Sequence, residues 1–164
     1  MSGEKPDTDE YVKAEVVGVY PVVTSSGGSA YLMLLEAVEW RGRVLPIFIG
    51  VSEGIAIQSA LMGIRYERPM THDLLVNILE ALGVSVERVT IDALLANAVF
   101  TATIFLVQEI NGSVKRIPVD ARPSDAVAIA LRTGAPIYVA RRLESSTREP
   151  EELGLGHEER EEHL

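Results

Sequence analysis

The sequence has no cysteine, which excludes disulfides, thiolate metal ligands and a thiol nucleophile. No stretch approaches the roughly 20 apolar residues that a spanning helix requires, and no apolar run follows a basic start. A cytoplasmic protein that does not engage a membrane is expected. Aromatic residues are scarce, at one Trp, five Tyr and three Phe. Exposed bases are commonly gripped by stacking on aromatic faces. Only Trp40 and Tyr66 read as exposed aromatics, so base-specific recognition is not expected. There is no Walker loop, zinc-ligand spacing, GxGxxG or GxSxG element.

A basic surplus is also missing. The net charge is −9, but the excess acid sits at the ends. Residues 1–10 carry four acids against one base, and residues 144–164 carry eight against two. The span 11–143 holds twelve of each and is neutral. It is neither the strongly basic surface of a tight nucleic-acid binder nor an acidic body. The Glu-, Ser-, Gly- and Pro-rich ends at 1–10 and 144–164 read as disordered, leaving 11–143 as one domain.

Within that span, β-branched and apolar runs mark strands at Val12–Val23, Ala30–Val38 and Val44–Ile49. A helix follows at Ser52–Met62, with Gly63 past its end, and another at Thr71–Leu82. Further strands read at Val86–Leu95, Val99–Val107 and Val114–Val119, a helix at Ser124–Arg132, and a last strand at Ile137–Val139. The two β-β-β-α units align without a gap at a shift of 72 residues, matching Pro46 with Pro118, Glu53 with Asp125 and Ile57 with Ile129. The fold class is therefore α+β: duplicated units around a mainly antiparallel sheet, with an inserted helix between them. The Ala-rich last helix (Ala126, Ala128, Ala130) could pack closely on a partner, although packing within the chain is the commoner use, and a homodimer is expected.

The copies differ where chemistry would sit. The first has Phe48-Ile49-Gly50-Val51 where the second has Asp120-Ala121-Arg122-Pro123. Charge near a core is costly unless paired, so the charged version needs a reason. Arg68-Pro69-Met70-Thr71-His72-Asp73 repeats the idea at another helix start. Arg68 and Arg122 each precede a proline that restrains the backbone, beside free helix N–H groups that attract anions. Together they would clamp a phosphate, with Thr71 and Ser124 at the same corners; alternatively each pairs with a local acid, Glu67 or Asp120. Asp120 with Asp125, and Glu53 or Asp73, could hold a divalent cation such as Mg²⁺. Helix capping by Thr71 and Ser124, and dipole complementation by Asp73 and Asp125, would account for those four residues without catalysis.

Through these two corner motifs, Leu45-Pro46-Ile47-Phe48-Ile49-Gly50 with Glu53, and Gly134-Ala135-Pro136-Ile137-Tyr138, the chain resembles the bifunctional nuclease (BFN) domain family over about residues 12–142. Some members join this domain to a UvrB/UvrC-like C-terminal segment, which is expected here to be missing or replaced by the acidic tail. The resemblance implies hydrolysis of RNA and DNA with little sequence preference. In that reading Arg68 and Arg122 hold phosphate oxygens, with Thr71 and Ser124 supporting them. Asp120 and Asp125 bind a metal or orient water, with Glu53 as a further ligand. His72 acts as general acid or base, since histidine titrates near neutrality, and Asp73 supports it. A non-catalytic anion- or nucleotide-binding regulatory module is the alternative.

Overall fold

The computed structural model describes residues 10–154. The β-branched start forms β1 (Tyr11–Val23), which a turn returns as β2 (Ser29–Glu36); β3 (Leu45–Ile49) completes an antiparallel meander, and α1 (Val51–Leu61) follows. After a loop come α2 (Thr71–Ala81) and a second antiparallel meander, β4 (Val84–Leu94), β5 (Phe100–Ile110) and β6 (Ser113–Ala121). Then come α3 (Pro123–Thr133) and β7 (Ile137–Ala140). The seven strands form one sheet in the order β3-β2-β1-β7-β4-β5-β6. The fold is α+β and mainly antiparallel; β7 pairs antiparallel with β1 and parallel with β4, joining the two meanders.

Alternation along the strands sends Val12, Ala14, Val89, Ile91, Ile104, Ile137 and Val139 to one face. There they meet Ile57 of α1 and Val127, Ala128 and Ile129 of α3 in one buried cluster. α1 and α3 are both 11 residues long, and their first residues, Val51 and Pro123, lie 72 positions apart. The matched Ile57 and Ile129 are both buried. Each helix fills the same place over its own meander, as duplication requires. No described helix is long and apolar enough to cross a membrane.

One matched pair shows how closely the first copy is packed. Gly54 of α1 corresponds to buried Ala126 of α3. A Cβ on Gly54 would fall on the Cβ and ring of Tyr31 in β2. Those atoms move only with the strand backbone. Gly54→Ala gains about 1 kcal/mol of helix propensity but overpacks at a cost of about 1–3 kcal/mol. A net loss is expected, seen as a fall in Tm of roughly 2–6 °C. A rise in Tm would show that Tyr31 yields freely.

The acidic tail departs from expectation. Residues 144–154 are ordered, not disordered: 3-10 turns span Arg141–Ser146 and Pro150–Leu153. Between them Val44 and Arg148 exchange backbone hydrogen bonds of 2.9 and 2.8 Å. Arg43 donates to the Thr147 hydroxyl and carbonyl and to Glu149. Leu143, Thr147 and Pro150 are buried, and Leu153 packs near Tyr20, Leu32, Leu34 and Val44. A few apolar anchors and one arginine outweigh the unfavourable composition. The remaining ends expected to be disordered, residues 1–9 and 155–164, lie outside the described residues. Trp40, expected to be exposed, is buried in the core, because its short 3-10 turn folds the indole inward.

On the side of the sheet away from α1 and α3, Asp92 accepts hydrogen bonds from Tyr11, Thr90 and Thr103 at 2.7–2.8 Å. Burial, then the Asp92 contact, push the Tyr11 phenol up to about 12. The folded state therefore favours the neutral phenol. Its contribution is complete below the ordinary tyrosine range, about 10, and is lost as pH rises through about 12. Ultraviolet titration should show a late-ionising tyrosine that is lost in Tyr11→Phe; an unchanged titration curve in that variant would contradict the contact.

Candidate active site

Two helix starts are brought together. β6 ends at Ala121, and the extended backbone of Arg122 (φ −75°, ψ 148°) leads into Pro123 at the first helical position. Proline forces that extended conformation on its predecessor and lacks an N–H the first turn would leave unpaired anyway. Ser124 therefore lies inside the helix, buried, and makes no capping hydrogen bond. Thr71 is likewise the exposed first residue of α2, with no side-chain cap before it. The cap expected from Thr71 is replaced by Asp73, whose Oδ2 accepts the Met70 N–H at 3.0 Å.

The His72 Nε2 of α2 lies 2.8 Å from Asp125 Oδ1 in the first turn of α3. Asp125 Oδ2 accepts from Arg122 Nε at 2.9 Å, and a terminal nitrogen of Arg122 donates to Glu53 Oε1 in α1 at 3.0 Å. Three helices thus meet in a chain Glu53–Arg122–Asp125–His72. The duplication is visible in it, since Glu53 and Asp125 are matched positions that share one guanidinium. Gly50 is the match of Arg122, and a Cβ there would collide with the Glu53 carboxylate. Glycine in the first copy leaves room for the acid that the arginine of the second copy reaches.

Asp125 is held below the usual carboxylate range. Burial pushes it up, but the hydrogen bonds from Arg122 and His72 outweigh that. Asp125 raises Arg122 in return, with Glu53 adding to it. An ionised Asp125 can only accept, so Nε2 of His72 carries the proton in the neutral ring. Nδ1 then keeps its lone pair, with no hydrogen bond to a described residue. The His72 side chain is 13 % exposed and that of Arg122 67 %.

Asp73 faces the other way along α3. Its Oδ1 accepts from Arg132 Nε at 2.7 Å, which, ahead of the Met70 contact, keeps it below the usual range. Arg132 also donates to the carbonyls of Ala128 and Ala56, at 3.0 and 3.1 Å. It ties α2, α3 and α1 together. Sequence reasoning does not single it out; its one signal is a lone charge ending the apolar run Ala126–Leu131.

Other expected partners stand apart. Asp120 pairs across the strands with Thr103, while Ala121 packs against the core. Strand alternation therefore points Asp120 to the sheet face opposite the helices, exposed and without a described partner. It is not the partner of Arg122. Arg68 is exposed in the loop before α2, also without a described partner; it does not pair with Glu67. Among the described residues no three His, Cys, Asp or Glu side chains gather where they could hold a metal ion. The set Asp120, Asp125 and Glu53 does not fit one: two of the three meet through a guanidinium and the third lies across the sheet.

The family model described as the bifunctional nuclease domain matches residues 33–152. An uncharacterized protein of Mycobacterium tuberculosis is 45 % identical over 127 residues, covering 77 % of this chain and 70 % of that protein. Bifunctional nuclease 1 of Oryza sativa subsp. japonica is 28 % identical over 113 residues, covering 69 % of this chain and 34 % of its own length. Bifunctional nuclease 1 of Arabidopsis thaliana is 28 % identical over 111 residues, covering 68 % and 34 %. The chain thus matches about a third of these plant proteins.

Proposed function

Because the chain belongs to the bifunctional nuclease domain family, we propose that it hydrolyses phosphodiester bonds of RNA and DNA with little dependence on overall sequence. The observation that carries this reading is the 2.8 Å contact between His72 and Asp125. It joins two helix starts 53 residues apart and leaves one imidazole nitrogen for proton transfer. In the proposed mechanism His72 Nδ1 takes the proton of the attacking water, and Asp125 stabilises the imidazolium that forms. Glu53 and Arg122 hold Asp125 in place.

Glu53, Arg122 and Asp125 sum to one negative charge when His72 is neutral. A phosphate therefore needs a further cation. Arg68, four residues before His72 and free of described partners, is the candidate, and the remaining terminal nitrogen of Arg122 is a second donor for the same anion. Asp120 has no role in this reading, and no step runs through a metal ion. A homodimer belongs to the same reading; Leu74 and Ile78 on α2 and Met70 and Leu82 at its two ends, all exposed, support it.

The test is cleavage of single-stranded and duplex RNA and DNA by the purified chain, with Mg²⁺ and with a chelator. Release of shorter products from both nucleic acids is expected. Thermal stabilisation by nucleotides without any cleavage would replace this reading with a non-catalytic nucleotide-binding module.

A further inference from the structure

A cleft of about 590 Å³ opens between the loop after α1, the side of α2 and the end of α3. That volume lies within the range of roughly 300–1,000 Å³ typical of small-molecule sites. Its lining is specific in kind. Tyr66 stands on the loop side, its hydroxyl fixed 2.9 Å from Ser59 Oγ of α1. Asn77 and Glu80 lie on the α2 side, three residues apart and so on one helix face. Val76 and Leu131 add apolar surface. Arg132 is engaged by Asp73, which leaves Arg65 as the unpaired cation of the lining. Asn77, Glu80 and Glu67, a second carboxylate on the loop side of the lining, make no hydrogen bond or ion pair with any described residue.

A tethered aromatic ring, an amide with both donor and acceptor, a free carboxylate and a free guanidinium are the groups that bind a nucleotide. The ring stacks on the base, the polar groups read its edge, and the guanidinium meets the phosphate. The Glu80 carboxylate, on the same α2 face as the Asn77 amide, sets the preference. Guanine alone among the common bases presents two adjacent N–H donors on its pairing edge, which one carboxylate can accept together. The amide of Asn77 can serve the guanine carbonyl. We propose that this cleft is a guanine-nucleotide subsite, with Glu80 as its base-selecting residue.

The assignment deepens the nuclease reading, because Arg132 on the cleft wall follows Asp125 by seven residues, about 10 Å along α3. A guanine held here would favour cleavage near that base, a selectivity that aromatic scarcity alone argues against. The binding claim itself does not depend on cleavage.

The experiment is calorimetric titration of the full chain with guanosine, adenosine, cytidine and uridine 5′-monophosphates. Guanosine monophosphate should bind at least about tenfold more tightly than the others, the lower end of what a bidentate base contact provides. Glu80→Gln should remove that preference, and Tyr66→Leu should weaken all four, with Tm in each variant showing that the fold is kept. Binding of none, equal binding of all four, or a preference that survives Glu80→Gln overturns the proposal. His72→Ala should keep the preference while losing cleavage. Cleavage without guanine binding would sink the subsite alone, and guanine binding without cleavage the nuclease reading alone.

Discussion

His72→Ala will lower kcat/KM for RNA and DNA cleavage by about 100-fold or more, the usual worth of a positioned acid-base group. The fold will be kept, at a modest cost in stability. The substitution removes one hydrogen bond to Asp125, about 1–3 kcal/mol for an ionised acceptor, while Arg122 still satisfies that carboxylate. Asp125→Asn separates the dyad from a merely structural contact. Its amide can donate to Nε2, which moves the imidazole proton to Nδ1 and removes the free lone pair. Cleavage should fall in this variant too, although His72 remains. Unchanged cleavage in both proteins, measured with the wild-type Tm as reference, would place the chemistry elsewhere.

Arg132→Leu is expected to cause the largest loss of stability. The Arg132 side chain is only 11 % exposed, and it holds Asp73 and two helix carbonyls. Removing it takes a second hydrogen bond from the Ala56 and Ala128 carbonyls, which keep their helix bonds, and leaves a partly buried carboxylate without its cation. Losses of this kind cost about 3–5 kcal/mol when fully buried. Asp73 is 34 % exposed, so water screens part of that, and about 2–4 kcal/mol is expected. Tm should fall by roughly 5–15 °C. The pH dependence has a definite sign. Asp73 is held below its ordinary range, so the pair stabilises the fold above pH ~4 and loses that contribution as acid protonates Asp73. The gap between variant and wild type should therefore be full at neutral pH and narrow in acid. A gap independent of pH would assign the loss to packing.

The strands and helices were legible because period-two and helical patterns sit between strong breakers. Their bounds shift by a few residues at most in the structure. The duplication was legible because its matched residues, Ile57 and Ile129 among them, do the same packing job. Chemistry was harder to read. Ser124 and Thr71 have the residue types of caps, but a proline at 123 and a reaching carboxylate at 73 place the helix starts two residues and one residue earlier, respectively, than capping by them requires. Asp120 looked adjacent to Asp125, yet strand alternation sends it through the sheet, which a linear motif does not display. The Glu53–Arg122 contact spans 69 positions. Only the internal alignment, which pairs Glu53 with Asp125, hinted at it.

The centre of the sheet arrives last in the chain. Among the described residues, strand β7, at Ile137–Ala140, is the only bridge between β1 and β4. A growing polypeptide can complete each meander as it leaves the ribosome, but the halves stay unzipped until residue 140 has cleared the exit tunnel. Glu53 and Arg122 are brought to one another across that seam. During synthesis, competence would switch on with the closing strand, not accumulate with length.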